Sequence, residues 1–201
     1  MNSKIPRIPK NYVRPKNEGL NLECPWMVPG SVLLLAKVIN GSESVLDCGM
    51  GASTLFFSRR CSKVIGIESN LEWMSKVKTI AAERGLIDKI STIAVNNDSD
   101  VIAAFETLSD RSLDLISMDM QGKLFDRYKL LTQVVSKLKP SGIIVHDNYS
   151  HGHRFTDKNS VLKMLNLTNS HKAIDFDDPN WNGSGTRIIL PNELYEKNIS
   201  S

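Results

Sequence analysis

The chain has 201 residues and a formal net charge of +3, with 41% hydrophobic and 23% charged residues. This length favours one domain, and the composition is that of an ordinary globular protein. The charge is too small to indicate nucleic-acid binding by itself. The sequence contains no long apolar run and no signal-peptide pattern, and its three cysteines form no C-x-x-C motif. We therefore expect a soluble, cytoplasmic protein without a membrane span.

Residues 1–25 differ from the remainder because basic residues alternate with prolines that oppose helix and strand. We predict an N-terminal arm over residues 1–25 and a single domain over residues 26–201. The arm is expected to be a solvated segment, a lid over a ligand or a basic contact to an anionic substrate. Trp26, which opens the domain, is expected to pack in the core or to lie near a bound ligand at the start of the first helix, and the core is favoured.

From residue 26 onward, amphipathic segments alternate with short apolar ones. After a helix beginning near Pro29, strands are predicted at residues 44–48, 63–67, 90–95, 113–118 and 143–146, with helical segments between them. Two further β segments, 171–176 and 186–190, are close enough to pair antiparallel. The pattern predicts an α/β fold with a mostly parallel, doubly wound sheet.

The first strand leads into a glycine-containing turn. Val45 and Leu46 are followed by Asp47, then by Gly49 and Gly51 at alternate positions. Few side chains in the turn allow a ligand to approach the backbone, and the next helix offers free N–H groups. The third glycine of the dinucleotide fingerprint is missing, and a carboxylate here would repel phosphate. The turn therefore suits a cationic or hydroxyl-rich ligand. Glu68 ends the second strand about 20 residues further on, where an acid can bind both hydroxyls of a ribose.

At this point the sequence resembles the class I S-adenosylmethionine-dependent methyltransferases. The resemblance rests on four motifs that follow one another along the chain: Asp47–Thr54, Val64–Glu68, Asp114–Asp119 and Leu138–Asp147. It looks most like a bacterial-type subgroup with a Gly-x-Ser-Thr glycine loop, in which a tryptophan, here Trp73, follows the second acid. The resemblance implies a single Rossmann-like domain with seven strands, of which the last is antiparallel, and helices on both faces. It also implies methyl transfer from S-adenosylmethionine.

We assign the cofactor contacts as hypotheses. Asp47 faces the ammonium end of the cofactor, directly or through water. Gly49 and Gly51 admit it, Ser53 binds its carboxylate or only caps the helix, and Glu68 holds the ribose. Trp73 lies near the adenine or packs on the sheet. Asp98, after the third strand, accepts a hydrogen bond from the adenine, or Asp98 or Ser99 caps the next helix. Asp119 completes the cofactor set.

The reacting centre is expected where strands four and five end. We predict Asp119, Asp147 and His151 as catalytic residues, with Asp147 in contact with the acceptor. His146 and His153 compete with His151 as a base, although His146 is favoured as a core residue. A base is needed only when the acceptor must lose a proton, as a hydroxyl does.

Asp119, Asp147 and Asn148 also resemble the metal triad of cation-dependent O-methyltransferases. This weaker similarity adds Mg²⁺ or Ca²⁺ as an optional cofactor, because these ions prefer oxygen ligands. The sequence departs from those enzymes in its glycine loop and in the placement of Lys123.

Together these features predict an S-adenosylmethionine-dependent methyltransferase that O-methylates a small polar or sugar-like acceptor. The alternatives are a nicotinamide-dependent oxidoreductase and a non-catalytic nucleoside-binding module. Nucleic-acid modification is disfavoured, because no Asn-Pro-Pro-Tyr or Asp-Pro-Pro-Tyr motif follows strand four. Assembly into a homo-oligomer stays open.

Overall fold

The computed structural model describes residues 20, 24–120, 125–149, 157–178 and 185–199. These residues form seven α-helices and seven strands, numbered separately in chain order, and two short 3-10 helices, Ile87–Lys89 and Val135–Lys137. The helices are α1 (Pro29–Val38), α2 (Ala52–Arg60), α3 (Leu71–Glu83), α4 (Asp98–Glu106), α5 (Arg127–Val134), α6 (Lys158–Met164) and α7 (Asn192–Ile199). The strands are β1 (Ser44–Cys48), β2 (Lys63–Glu68), β3 (Ile90–Ala94), β4 (Leu113–Met118), β5 (Leu138–Asp147), β6 (His171–Phe176) and β7 (Thr186–Pro191).

The seven strands form one sheet in the order β3-β2-β1-β4-β5-β7-β6. Neighbouring strands from β3 to β5 are parallel, whereas β7 runs antiparallel to both β5 and β6. The predicted Rossmann-like sheet with an antiparallel last strand is confirmed. The strand order reverses between β1 and β4, and in such sheets ligands bind beyond the carboxyl ends of the strands at this reversal.

Alternate residues of the central strands enter two hydrophobic cores, one on each face of the sheet. Leu46 of β1 and Ile116 of β4 pack with side chains of α4, α5 and α6. Val45 and Leu115, one position earlier on the same strands, pack with α1 and α2. This period of two is what a sheet covered on both faces requires. The predicted helices on both faces are therefore confirmed, and the strand ends are held at fixed positions.

Most of the predicted N-terminal arm lies outside the described residues. Its described part is packed rather than solvated, since Leu20 is only 7% exposed and Cys24 only 5%. Leu20 joins a cluster with Met74 and Val77 of α3, and its carbonyl accepts a hydrogen bond from Arg84 Nη1 at 3.2 Å. The packed part of the chain thus begins before residue 26. In the described part of the chain, no helix is long and apolar enough to cross a membrane.

Candidate active site

A cavity of about 520 Å³ lies at the carboxyl ends of β1, β2 and β4. This volume is within the usual range for small-molecule sites, roughly 300–1,000 Å³. Its walls are the glycine turn after β1, the end of β2, the end of β4 and Trp73 of α3. Two carboxylates, those of Glu68 and Asp119, face this space, and no lysine, arginine or histidine lines it among the described residues. The charge of the walls therefore favours a cationic ligand over a phosphate.

Gly49 allows the turn after β1 to pass directly against β4. Its φ of +96° is in the left-handed region, and a Cβ atom there would lie 2.5 Å from the carbonyl oxygen of Asp119. The backbone N–H of Gly49 donates to the carbonyl of Ile67 at 2.9 Å, and that of Asp119 donates to Cys48 at 2.7 Å. The turn is thus tied to both neighbouring strands, and only glycine fits its closest approach.

Asp47 lies in the protein interior behind the glycine turn, which it stabilises, and it does not line the cavity. The residue is fully buried, and its Oδ2 atom accepts hydrogen bonds from Ser53 Oγ at 2.9 Å and Thr54 Oγ1 at 2.7 Å. Thr54 Oγ1 in turn accepts from the N–H of Gly51 at 2.9 Å. Asp47 Oδ1 has no hydrogen-bond partner among the described residues. The predicted contact of Asp47 with a ligand ammonium group, directly or through water, stays a prediction, and its burial favours the contact through water. Ser53 does line the cavity, but its hydroxyl is already bonded to Asp47.

Burial raises the pKa of Asp47 from its ordinary value of 3.8 to about 7. Hydrogen bonds from Thr54, Ser117 and Ser53 oppose this rise, and the nearby negative charge of Asp119 adds to it. Desolvation is the largest cause, as expected for a carboxylate without an opposite charge beside it.

Glu68 offers the cavity one carboxylate oxygen while the other is fixed by the chain. Its Oε1 atom accepts hydrogen bonds from the backbone N–H groups of Ser69 and Asn70, both at 2.8 Å. No described residue donates a hydrogen bond to Oε2, and Glu68 lines the cavity. A carboxylate held in this way has one preoriented acceptor for a ligand hydroxyl.

Trp73 connects α3 with the glycine turn. Its indole Nε1–H donates to the carbonyl oxygen of Met50 at 2.7 Å, and its ring lines the cavity. Trp26 also lines the cavity and is 40% exposed, so the expectation that it packs in the core is wrong. Two indole rings therefore border the same space, where they offer flat apolar surface to a ligand.

Asp119 is the acid that links the cavity to the end of β5. Its side chain is 23% exposed, and its Oδ1 atom lies 3.1 Å from Arg127 Nη2. Burial raises the pKa of Asp119, the Arg127 guanidinium lowers it, and the charge of Glu68 raises it. Asp147 is only 2% exposed, does not line the cavity, and accepts a hydrogen bond at 2.5 Å from Thr186 Oγ1. Burial and the charge of Asp119 raise the pKa of Asp147.

The histidine predictions have different outcomes. His146 is 1% exposed, and its ring contacts the ring of Tyr128 edge-on at 4.8 Å between centroids. Burial, Arg127 and Arg187 together lower the pKa of His146 to about 3, so it is a neutral residue at physiological pH. This environment agrees with the core role that we favoured for it. His151 and His153 lie outside the described residues.

Asp98 is bonded to α5 rather than directed toward the cavity. Its Oδ1 atom accepts from the N–H of Asp126 at 3.2 Å, and its Oδ2 atom lies 3.3 Å from Lys129 Nζ. A helix cap is predicted at Asp98 or Ser99, but the residue that caps α4 is Asn97. Its side chain accepts hydrogen bonds from the N–H groups of Ser99 and Asp100. The predicted capping role of Asp98 is therefore wrong. Its predicted contact with adenine stays a prediction, which its bonds to α5 do not favour.

The predicted metal triad does not fit a metal ion. Asp119 pairs with Arg127, Asp147 is bonded to Thr186, and Asn148 Oδ1 lies 3.4 Å from Arg127 Nη1. Within the described ranges, no group of three His, Cys, Asp or Glu side chains is arranged to hold a metal. Sequence analysis did not single out Arg127, whose only local signal is Asp126, the residue that caps α5.

No family model and no curated protein sequence matches the chain. Solved structures do match its fold. A methyltransferase from Geobacter sulfurreducens is 17% identical with a TM-score of 0.59, and the alignment covers 81% of this chain and 77% of that one. The O-methyltransferase TomG from Streptomyces achromogenes, solved with S-adenosylmethionine, is 14% identical with a TM-score of 0.61 and coverages of 88% and 91%. An rRNA methylase from Streptococcus thermophilus is 14% identical with a TM-score of 0.57 and coverages of 79% and 92%.

These structural alignments show that the chain shares the fold of the solved methyltransferases, which is the fold that its sequence motifs predicted. One of these solved structures is named for tomaymycin synthesis and another as an rRNA methylase, so the fold does not specify the acceptor.

Proposed function

We propose that the protein is a methyltransferase that binds S-adenosylmethionine in the cavity at the ends of β1, β2 and β4. The observation that supports this most is the charge of the cavity. Glu68 and Asp119 face it, and no basic side chain lines it among the described residues. A nicotinamide dinucleotide would place its pyrophosphate in a cavity that no described basic side chain lines, whereas a sulfonium with an ammonium group carries positive charge that carboxylates attract.

The residues present fit this cofactor by position. Glu68 Oε2 is the acceptor for a ribose hydroxyl, and the turn at Gly49 admits the ligand to the backbone. The first N–H groups of α2 are donors for the carboxylate of its amino-acid end. Trp73 and Trp26 border the cavity as flat surfaces for the adenine. When bound, S-adenosylmethionine supplies an already activated methyl group on its sulfonium.

The acceptor is proposed to be a small polar or sugar-like molecule that is methylated on oxygen. The chain must align the acceptor oxygen with the methyl carbon, and alignment alone is worth roughly 7–11 kcal/mol of the barrier. Asp119 is the cavity carboxylate nearest the end of β4, and its raised pKa makes it a stronger base than an ordinary carboxylate. It is placed to take the hydroxyl proton as the C–O bond forms and the C–S bond breaks. Asp147 is a weaker candidate for this role because Thr186 covers it.

The proposal is tested by calorimetric titration of the protein with S-adenosylmethionine, S-adenosylhomocysteine and NAD. We expect the first two to bind and NAD not to bind. In Glu68→Gln, which keeps the shape of the side chain and the acceptor for Ser69, we expect affinity for both adenosyl ligands to fall about 10- to 100-fold, because a charge-assisted hydrogen bond is lost.

Glu72→Gln is the matched control, since Glu72 is an exposed residue of α3 outside the cavity. Binding of NAD in place of the adenosyl ligands would reject the proposal. Unchanged affinity in Glu68→Gln would remove Glu68 from the site. If both adenosyl ligands bind, a panel of hydroxylated metabolites incubated with methyl-labelled cofactor identifies the acceptor.

A cytoplasmic location is part of the same proposal. All three cysteines, Cys24, Cys48 and Cys61, are free and buried. Free thiols without a disulfide agree with a reducing compartment.

A further inference from the structure

Four oxygen atoms at the ends of β4 and β5 surround the guanidinium group of Arg127. Arg127 Nε donates to the carbonyl of Met120 at 2.7 Å, and Nη1 donates to the carbonyl of Asp147 at 2.6 Å. The side-chain oxygen of Asn148 lies 3.4 Å from Nη1, and Asp119 Oδ1 lies 3.1 Å from Nη2. We call these four atoms the oxygen cage. It draws on the same three residues, Asp119, Asp147 and Asn148, whose sequence resembles a metal triad.

The local structure fixes Arg127 in this position. Arg127 is the first residue of α5, and Asp126 caps that helix by accepting from the N–H groups of Tyr128 and Lys129, both at 3.1 Å. The N–H of Asp126 donates to Asp98 at 3.2 Å, which joins the start of α5 to the start of α4. The Arg127 side chain is only 15% exposed. The cation is therefore built into the fold rather than reaching in from solvent.

The guanidinium already engages the oxygens of the cage, so a metal ion would have to displace Arg127 in order to bind here. Only one of the four oxygens, Asp119 Oδ1, belongs to a carboxylate, whereas Ca²⁺ takes about six to eight oxygen ligands. A guanidinium has five N–H donors in a plane and remains charged at any physiological pH. It thus supplies a permanent positive charge beside Asp119 and needs no ion from solution.

We infer that Arg127 takes the place of a divalent cation at this site, so that the oxygens described here require no metal. The inference deepens the proposed function, because the cage adjoins the cavity through Asp119 and Met120. In this role Arg127 is a positioning residue. It fixes the loop after β4 against the end of β5 and balances the charge of the cavity carboxylate.

The test is a thermal-unfolding titration with MgCl₂, CaCl₂ and MnCl₂ at constant ionic strength, and separately with methylguanidinium. We expect no specific stabilisation of the wild-type protein by any of these ions. In Arg127→Ala the oxygen cage has lost its cation, and we expect saturable stabilisation by methylguanidinium or by a divalent ion. At ten times the dissociation constant, the melting temperature should rise by about 3–6 °C.

Lys129→Ala is the matched control, because Lys129 lies two residues further along the same helix, is half exposed, and pairs with Asp98 outside the cage. It should respond to no ion. Saturable stabilisation of the wild-type protein by a divalent ion would overturn the inference, as would an Arg127→Ala protein that responds to neither kind of cation. Should Arg127→Ala fail to fold, the wild-type titration decides alone: stabilisation overturns the inference and its absence upholds it. Because no methyl transfer is measured, the result is independent of the cofactor titration.

Discussion

The two halves of the sheet end in polar groups that are used in opposite ways. At the ends of β1, β2 and β4, Glu68 and Asp119 face a cavity, and Glu68 Oε2 receives no hydrogen bond from the described residues. At the ends of β5 and β6 and the start of β7, the charged side chains are bonded to neighbouring protein groups, although His146 Nδ1 has no hydrogen-bond partner among the described residues. Arg187 is fully buried, pairs with both oxygens of Asp175 at 2.7 and 3.0 Å, and lies over the ring of Tyr149 at 4.3 Å.

The comparison separates a binding surface from a scaffold. Buried polar groups are normally hydrogen-bonded, so an acceptor that is held in place by the chain and left open toward a cavity indicates a ligand. A cluster in which donors and acceptors are paired needs no ligand. Arg127 lies at the boundary, since it pairs with cavity-lining Asp119 and also donates to the carbonyl of Asp147. Substitutions in the first half should therefore change ligand affinity, and those in the second half should change stability.

The largest effect is expected for Arg187→Met in the paired cluster. Removing the guanidinium leaves Asp175 without its partner, and breaking a buried ion pair in this way costs about 3–5 kcal/mol. We expect the free energy of unfolding in urea to fall by this amount, while the affinity of the folded protein for S-adenosylmethionine stays within a factor of two. Lys139→Met, which removes the half-exposed pair with Asp114, is the control and should cost less than about 1 kcal/mol. If Arg187→Met lost affinity for S-adenosylmethionine but kept its free energy of unfolding, the paired cluster would be part of the binding site, and the distinction between the two halves of the sheet would be wrong.

Asp47→Asn should show a smaller effect that depends on pH. Because folding raises the pKa of Asp47 from 3.8 to about 7, the native state binds a proton more tightly than the unfolded state. Its contribution to stability is complete below about pH 4 and is lost as the pH rises toward 7. Asparagine is neutral throughout, so the variant should gain about 2–3 kcal/mol relative to wild type between pH 5 and pH 8.

Urea unfolding at pH 5, 6, 7 and 8 measures this difference. Asp88→Asn, at an exposed position, is the control and should follow the wild-type curve. If the difference between Asp47→Asn and wild type is the same at every pH, the carboxylate is already charged in the folded protein. In that case Asp47 would be a charged group like Glu68 and Asp119 rather than a buried structural carboxyl.

Much of the fold was predictable because its signals are local. The observed β1, β2 and β6 begin at the predicted residues, and the strand order places the acids of β1, β2 and β4 at one edge. Helix α7 was missed, since Leu194 and Tyr195 are its only apolar residues packed on a core and no clear helical period results. The burial of Leu20 was not predictable from its neighbours in sequence, because the residues that bury it, such as Met74 and Val77, lie far away in the chain.

The site was predictable only in outline. A motif places an acid at a strand end, but the direction of its side chain depends on donors supplied by other segments. Ser53 and Thr54 engage Asp47, and the backbone of Asp126 engages Asp98. Likewise, the contacts of Arg127 with Met120 and Asp147 arise only when α5 packs beside β5. Sequence periodicity contains no information about such pairings.

The smallest expected effect is that of Trp73→Phe, and its comparison with Trp73→Ala distinguishes the two roles of Trp73. In Trp73→Phe the ring is kept and the hydrogen bond to Met50 is lost, which should cost about 1 kcal/mol of stability and about a fivefold loss in S-adenosylmethionine affinity. In Trp73→Ala the stacking surface is also lost, so affinity should fall further, by about 1–3 kcal/mol if the ring contacts the adenine. Calorimetry and urea unfolding of both variants give the two values. Equal affinities of Trp73→Phe and Trp73→Ala for S-adenosylmethionine would mean that the indole only stabilises the glycine turn. In that case the residues around the cavity would include structural ones as well as ligand-binding ones.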